Sequence, residues 1–155
     1  MERNSVVAGH RKLLAGQVHA SFGRREATVS RVEVLGVVIT REIRFGKFLK
    51  FAIDDGTECL MCVLWLNHLS SPYFSRRSSV DCSLLDDFAN GFCRDVQLGA
   101  LARVRGRLTE YAGCVQVTVS DVIIEKDDPN VETLHWLECL TLQRCNAATS
   151  SALGK

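Results

Sequence analysis

Long apolar runs and a large net charge are both missing from this sequence of 155 residues. The longest apolar run, Cys59 to Leu66, is far too short to cross a bilayer. No basic and apolar leader opens the chain, so we do not expect secretion. A net charge of +1 does not by itself indicate a nucleic-acid binder. The hydrophobic fraction of 46% and the charged fraction of 24% match an ordinary globular domain with one real core.

Signatures of catalysis are also missing. The sequence has no phosphate loop, dinucleotide fingerprint or catalytic triad motif. Asp54 and Asp55 form a carboxylate pair, but no histidine or nucleophile is near them in the sequence. A glycine follows them, so turn formation explains the pair better than acid and base chemistry. We therefore predict that the chain is not an enzyme and that it needs no cofactor.

The seven cysteines are odd in number and follow no regular pairing. This favours free thiols in a reducing compartment, nuclear or cytosolic. Cys59 and Cys62 form a C-x-x-C, which suggests zinc. Positions three apart on a strand point to opposite faces, so the two sulfurs cannot share one ion without a bulge. No second pair follows at a suitable spacing, and we predict no metal site.

Five runs have the apolar alternation or the continuous apolar character of β-strands. Gly36, inside the first run, predicts a bulge or a sharp bend. Asp54-Asp55-Gly56-Thr57 predicts a tight hairpin between the second and third runs. Tyr111-Ala112-Gly113 predicts a second hairpin between the last two. The runs are Val32 to Ile39, Phe48 to Asp54, Cys59 to Trp65, Leu101 to Glu110 and Val115 to Ile124.

Two helices complete the order of elements. Leu84 to Phe92 predicts a short helix, which Gly91 can end, between the third and fourth strands. Asp128 and Pro129 predict the start of a last helix, whose apolar stripe continues to about Cys145. The fold class is therefore all-β with flanking helices: a five-stranded OB-fold barrel with a short helix and a C-terminal helix. We expect an extension at 1–30 partly packed on the barrel, the barrel at 31–126, the helix at 127–146 and a flexible tail at 147–155.

Basic side chains gather where an OB-fold barrel usually binds its ligand, on the second and third strands and the loops beside them. One cluster lies before and within the second strand, and it contains Arg41, Arg44, Lys47 and Lys50. A second cluster shares one parity of the fourth strand, so its members point together out of the barrel: Arg103, Arg105 and Arg107. The nucleic-acid candidates among them are Arg44, Lys47, Lys50, Arg105 and Arg107. A solvated face, or pairing with the acids of a partner, explains the same pattern.

Two aromatic residues are candidates for stacking on bases. Trp65 ends the third strand, and Tyr111 lies between the fourth and fifth. Base stacking on an aromatic ring contributes about 1 to 3 kcal/mol and tolerates any sequence. The alternatives stay open: Trp65 folded over the end of the barrel, and Tyr111 packed against its neighbouring strand.

Several ordered blocks of the sequence carry a resemblance to a known family. The blocks span most of the chain, from about Lys12 to Arg144, and resemble the telomere-capping OB-fold family Stn-one. This family supplies the middle subunit of the trimeric CST complex and is similar to the middle subunit of replication protein A. The blocks are VSRVEVLGVV, FLKFAIDDGTECLMCVLWLN, SPYFSRR, LARVRGRLTEYAG, VQVTVSDVIIE and ETLHWL.

The resemblance implies a nuclear protein at chromosome ends that binds telomeric single-stranded DNA and is not a catalyst. It implies a small OB-fold partner, Ten-one, a large CST subunit, and support of fill-in synthesis by DNA polymerase alpha-primase. It also implies base stacking by Trp65, and we expect the short form of the family with a single domain. In the family, the closing helix packs on a helix of the small partner. The resemblance therefore implies that these residues contact the partner: Leu134, Trp136, Leu137 and Leu140. Two alternatives remain, a protein scaffold with little DNA contact and a general single-strand binder like replication protein A.

Overall fold

The computed structural model describes residues 9–24, 30–66 and 90–153. Within these ranges, no helix combines the length and the hydropathy that crossing a membrane requires. Most of the predicted helix at Leu84 to Phe92 lies outside the described residues.

Six strands and three helices make up the described chain. The helices are α1 (Ala15–Gly23), α2 (residues 90–95) and α3 (Val131–Leu153). The strands are β1 (Arg11–Lys12), β2 (Arg31–Arg44), β3 (Phe48–Asp54), β4 (Cys59–Trp65), β5 (Leu101–Tyr111) and β6 (Cys114–Ile124).

Strands β2 to β6 close into a barrel. Strand β2 pairs antiparallel with both β3 and β5, and β3 pairs antiparallel with β4. Strand β4 lies parallel to β6, and β6 returns antiparallel to β5. The two-residue strand β1 adds to β2 in parallel. This connectivity, with the closing helix, is that of an OB-fold, so the predicted fold class is confirmed.

The barrel interior is filled by the inward parity of every barrel strand. Its largest fully buried apolar side chains are on β3 and β4: Leu49, Phe51, Ile53 and Leu60. Each contributes about 1.5 to 3 kcal/mol by leaving water. Because β3 and β4 supply these residues from one parity, the other parity is left to face outward. That outer face carries the candidate site.

Strand β2 is longer than the sequence predicts. It runs to Arg44, so Arg41 and Arg44 lie on the strand, and the loop shrinks to 45–47. The predicted bulge is also displaced, because the register shifts between Val38 and Thr40 rather than at Gly36. Gly36 instead permits a close approach of strands, since a Cβ there would lie 2.9 Å from the backbone of Asp54.

The tip of the β3–β4 hairpin holds the beginning of α1. The backbone N–H of Ala15 donates to Asp55 Oδ2 at 2.7 Å, and that of Gly16 donates to Thr57 Oγ1 at 2.9 Å. Asp54 Oδ1 accepts from the N–H of Gly56 at 2.8 Å. The two aspartates therefore shape the turn as predicted, and Asp55 also satisfies a free N–H group at a helix N-terminus.

The helix ends differ from the predicted ones. Helix α2 continues through Gly91, because the N–H of Val96 still donates to the carbonyl of Phe92 at 3.0 Å. Helix α3 continues through 147–153, which was expected to be a flexible tail. In its last turns the hydroxyls of Thr149 and Ser151 donate to backbone carbonyls, and such local bonds are compatible with a helical backbone.

Candidate nucleic-acid interface

An open hollow of about 130 Å³ lies on the outer face of β3 and β4, beside the end of β5. We call it the aromatic hollow. Trp65 and Tyr111, the two aromatic candidates from the sequence, stand at this hollow with side chains 36% and 67% exposed. Six residues line it: Phe48, Lys50, Val63, Trp65, Tyr111 and Gln116.

Cross-strand pairing explains why these residues meet. Phe48 pairs with Trp65 and Lys50 pairs with Val63 across β3 and β4. Directly opposed residues of an antiparallel pair share one face of the sheet. The rings of Phe48 and Trp65 pack edge to face, with centroids 5.8 Å apart and an interplanar angle of 77°. This packing holds the Trp65 ring beside the strand end while part of its surface stays open to solvent.

Two cations lie over the rings of the hollow. The guanidinium carbon of Arg44 lies 5.7 Å from the centre of the Phe48 ring, and Lys50 Nζ lies 5.9 Å from the centre of the Tyr111 ring. Each distance fits a cation–π contact. Positive charge and aromatic surface are thereby combined on one face, as single-stranded nucleic acid requires.

The loop at 45–47 borders the hollow. Lys47 is exposed, and its backbone N–H donates to the carbonyl of Arg44 at 2.9 Å to close the turn. Phe45, at the tip, is 89% exposed. Our sequence reasoning missed Phe45 and Phe48 as site residues. Two sequence signals were available. Phe45 lies between Arg44 and a glycine in a loop, and Phe48 has the same strand parity as Lys50.

Arg105 lies away from the aromatic hollow. Its Nε donates to Glu33 Oε1 at 3.0 Å, and its guanidinium lies 3.9 Å from Asp121. Arg103 donates to Glu125 Oε1 at 2.8 Å and lies 3.5 Å from Glu33. The three arginines of β5 therefore do not form one open row, because Arg103 and Arg105 pair with acids of their own chain.

Glu33 is the buried centre of this ion cluster and is only 3% exposed. Lys12 completes the cluster on the side of α3, because its Nζ lies 3.8 Å from Glu33 and also contacts Glu138 of the helix. Burial disfavours the charged form of Arg103, but the carboxylates of Glu125 and Glu33 outweigh this and raise the pKa of its guanidinium. The cluster ties α3 to the barrel.

Helix α3 rests on the barrel through one narrow stripe, Val131, His135 and Cys139. Burial lowers the pKa of His135 and raises the pKa of Cys139 to about 12, so both are neutral at pH 7. Three of the four residues predicted to contact a partner lie off this stripe and are exposed: Leu134, Leu137 and Leu140. The fourth, Trp136, is half-buried and lies against Gly56 of the β3–β4 hairpin.

The Cys59 and Cys62 pair is split between faces. Cys59 is exposed, whereas Cys62 is buried in the core, where burial raises the pKa of its thiol far above the usual range. No group of three or more metal-ligating side chains occurs in the described ranges.

Comparison with known proteins identifies the family. No protein-family model matches the sequence. The CST complex subunit STN1 of Arabidopsis thaliana is 49% identical over 120 residues, which cover 77% of this chain and 74% of the relative. The S. pombe Stn1–ten1 complex contains a chain with a TM-score of 0.61 and 16% identity, covering 80% of this chain and 78% of that one.

A replication protein A heterotrimer bound to single-stranded DNA contains a further similar chain. Its TM-score is 0.53 at 14% identity, covering 74% of this chain and 72% of that one. Both structural likenesses support the OB-fold. Proteins of these two kinds bind rather than catalyse, which agrees with the prediction that the chain is not an enzyme. Because close sequence identity extends over three quarters of its length, the chain belongs to the STN1 (Stn-one) family of CST complex subunits.

Proposed function

We propose that this chain is a CST subunit that binds telomeric single-stranded DNA through the aromatic hollow. The observation that carries the proposal is the placement of Arg44 and Lys50 over the Phe48 and Tyr111 rings beside the partly open Trp65. Bases stack on the exposed rings, and the cations and Lys47 contact phosphates. Arg105 has no part in this contact, because its guanidinium is held by Glu33.

The same proposal assigns the exposed leucines of α3 to a protein partner. A helix that buries only a narrow stripe on its own barrel and exposes Leu134, Leu137 and Leu140 fits a second helix. The S. pombe relative is found in complex with ten1. We infer that this face binds the small OB-fold subunit Ten-one, and that the large CST subunit completes a trimer.

Within that trimer, the chain acts in the nucleus at chromosome ends. It protects the single-stranded end and supports fill-in of the complementary strand by DNA polymerase alpha-primase. Both roles rest on membership of the STN1 family.

A second candidate is a scaffold that holds protein partners and contacts DNA little. Two observations favour it. The ion pairs of Arg103 and Arg105 remove two cations from the surface available to phosphates. Helix α3 also exposes three large apolar side chains, Leu134, Leu137 and Leu140, which suit a protein partner.

Titration separates the two candidates. The purified chain, alone and co-expressed with Ten-one, is titrated into labelled G-rich telomeric single strand with duplex and unrelated single strand as competitors. Binding that survives duplex competition supports the DNA-binding function. Equal competition by the unrelated strand indicates a general single-strand binder. A stable Ten-one complex that binds no DNA in either preparation overturns the proposal and leaves the scaffold.

A further inference from the structure

A second cleft, of about 400 Å³, opens on the barrel surface where β2, β5 and β6 meet. We call it the arginine cleft. Two arginines stand at it, and hydroxyl groups and a histidine supply other polar groups around them. Its polar lining consists of His10, Arg31, Arg107, Thr109, Thr118 and Ser120.

The two arginines face each other across a strand pair. Arg31 of β2 is the direct antiparallel partner of Arg107 of β5, so both side chains leave the same face, and both are exposed. Directly opposed like charges destabilise a sheet. Among the residues that the structure describes, no carboxylate forms an ion pair with either of them. Arg103 and Arg105, which precede Arg107 on the outward face of β5, differ in this respect because both pair with Glu33. One phosphate bound by each guanidinium group would relieve this repulsion.

The chemistry of the cleft fits a phosphodiester. Guanidinium groups bind phosphate oxygens through a planar fork of N–H donors, and hydroxyls donate to the same oxygens. The Thr109 and Thr118 hydroxyl oxygens lie 2.9 Å apart, so one hydroxyl donates to the other. The hydroxyl that accepts keeps its own proton to donate to a phosphate oxygen. Among the described residues, no phenylalanine, tyrosine or tryptophan lines the cleft, and the imidazole of His10 is its one ring, so the cleft offers less stacking surface than the aromatic hollow.

The arginine cleft adjoins the aromatic hollow directly. Thr109 of the cleft pairs with Gln116 of the hollow, and Thr118 of the cleft pairs with Val63 of the hollow. Arg107 and Tyr111 are four positions apart on β5, about 13 Å at the rise of a strand. A stacked single strand advances about 3.4 Å per nucleotide, so this gap spans roughly four nucleotides, within the site size of one OB-fold.

We propose that the arginine cleft binds backbone phosphates of the same single strand whose bases stack in the aromatic hollow. The inference rests on the proposed DNA-binding function and extends it: the strand leaves the β3–β4 face, crosses β6 and ends its contact between Arg31 and Arg107. A strand long enough to reach the cleft gains phosphate contacts that a short strand in the hollow lacks.

The test compares the salt dependence of binding for strands of two lengths. The full chain and its Arg31→Ala/Arg107→Ala variant are titrated with strands of about 2 and about 16 nucleotides; the first is shorter than the gap of roughly four nucleotides, and the second is the upper limit of OB-fold site sizes. Each phosphate neutralised on a single strand contributes about 0.7 to the slope of log affinity against log salt. The double variant should therefore lose about 1.4 of slope on the long strand and nothing on the short one.

An Arg94→Ala/Arg144→Ala variant, which removes two other exposed arginines, is the charge-matched control and should leave both slopes unchanged. Equal slopes for the double variant and the parent chain on the long strand overturn the inference, and so does an equal loss in the control. If the parent chain binds neither strand, the proposed function fails as well. Should the double variant unfold, Arg107→Gln alone carries the test with an expected loss of about 0.7.

Discussion

The ammonium group of Lys50 lies over the ring of Tyr111, with Nζ 5.9 Å from the ring centre. Lys50 belongs to the β3–β4 hairpin and Tyr111 to the end of β5, so closure of the barrel alone brings them together. The contact fixes the orientation of an otherwise exposed tyrosine without covering it. It links a charge for the phosphate backbone to a surface for the bases, and the predictions on DNA binding start from it.

Removal of the Tyr111 ring should weaken binding to single-stranded DNA. One stacked base contributes about 1 to 3 kcal/mol, so Tyr111→Ala should raise Kd roughly 5-fold to 150-fold. Tyr111→Phe keeps the ring and should stay close to the parent chain. Fluorescence anisotropy with a labelled single strand measures both variants, and an equal effect of the two changes would contradict stacking as the cause.

Loss of the buried carboxylate of Glu33 should destabilise the fold. Glu33→Gln leaves the partly buried Arg103 without one of its two acids, and breaking a buried pair costs about 3 to 5 kcal/mol at full burial. Because Arg103 keeps Glu125, we expect the lower end, about 3 kcal/mol, and a Tm lower by roughly 6 to 12 °C.

Asp121→Asn is the matched control for Glu33→Gln. Asp121, like Glu33, forms an ion pair with Arg105, but the pair with Asp121 is solvent-exposed and its charged atoms are 3.9 Å apart. Exposed pairs contribute at most about 1 kcal/mol. Similar melting temperatures for the two variants in thermal denaturation would show that the ion cluster does not hold α3 on the barrel.

Acidification should loosen the contact between α3 and the barrel through His135. Burial lowers the pKa of His135 in the folded chain below its unfolded value of about 6.5. The unfolded chain therefore binds the proton first, and stability falls as pH drops below about 6.5. The neighbouring charges are Arg103, Lys12 and Glu33, of which the two cations reinforce the effect and the carboxylate opposes it.

The free energy of unfolding, measured by urea denaturation between about pH 7.5 and pH 5.5, tests this window, because most carboxylates stay ionised there. The parent chain should lose stability over the window. His135→Gln, which cannot be protonated there, should show a flatter dependence. The same slope in both proteins would remove His135 as the cause.

Charge on the exposed face of α3 should abolish partner binding without unfolding the barrel. Leu134→Glu and Leu137→Glu place a carboxylate on a surface that is already in water, at 50% and 56% exposure. We expect loss of co-purification with Ten-one and an unchanged Tm. Trp136→Glu is a less clean test, because Trp136 also lies against the β3–β4 hairpin at Gly56 and its loss should lower the Tm as well.

Gln143→Glu, on the same helix at an exposed position opposite Leu134, is the matched control. It should keep Ten-one bound. Retention of Ten-one by the leucine variants would assign the partner to another surface.

The sequence was sufficient to predict the barrel and the two exposed aromatic residues. Alternation on β3 and glycine-containing turns are local signals, and local signals also placed Trp65 and Tyr111 beside the binding loops. The end of α3 was predicted less well, because the small and hydroxylated residues at 146–153 have only a weak preference for the frayed state that was expected.

Contacts across long sequence separations were the part that the sequence could not supply. Glu33 is the one charged residue of the predicted run Val32 to Ile39, and nothing near it in the sequence shows that Arg105, on another strand, would pair with it. Strand parity predicted correctly that Arg103, Arg105 and Arg107 leave the barrel on one side. Which of them meets an acid depends on the register between β2 and β5, which closure of the barrel determines.

Tryptophan emission tests the central claim most directly, because the chain has only two tryptophans. Trp136→Phe leaves Trp65 as the single emitter and keeps an aromatic ring against the hairpin. Addition of telomeric single strand should quench Trp65 emission to saturation, with the same Kd that anisotropy gives, while duplex should leave it unchanged. Binding by anisotropy without any change in Trp65 emission would show that the DNA lies elsewhere, and would contradict the assignment of the aromatic hollow.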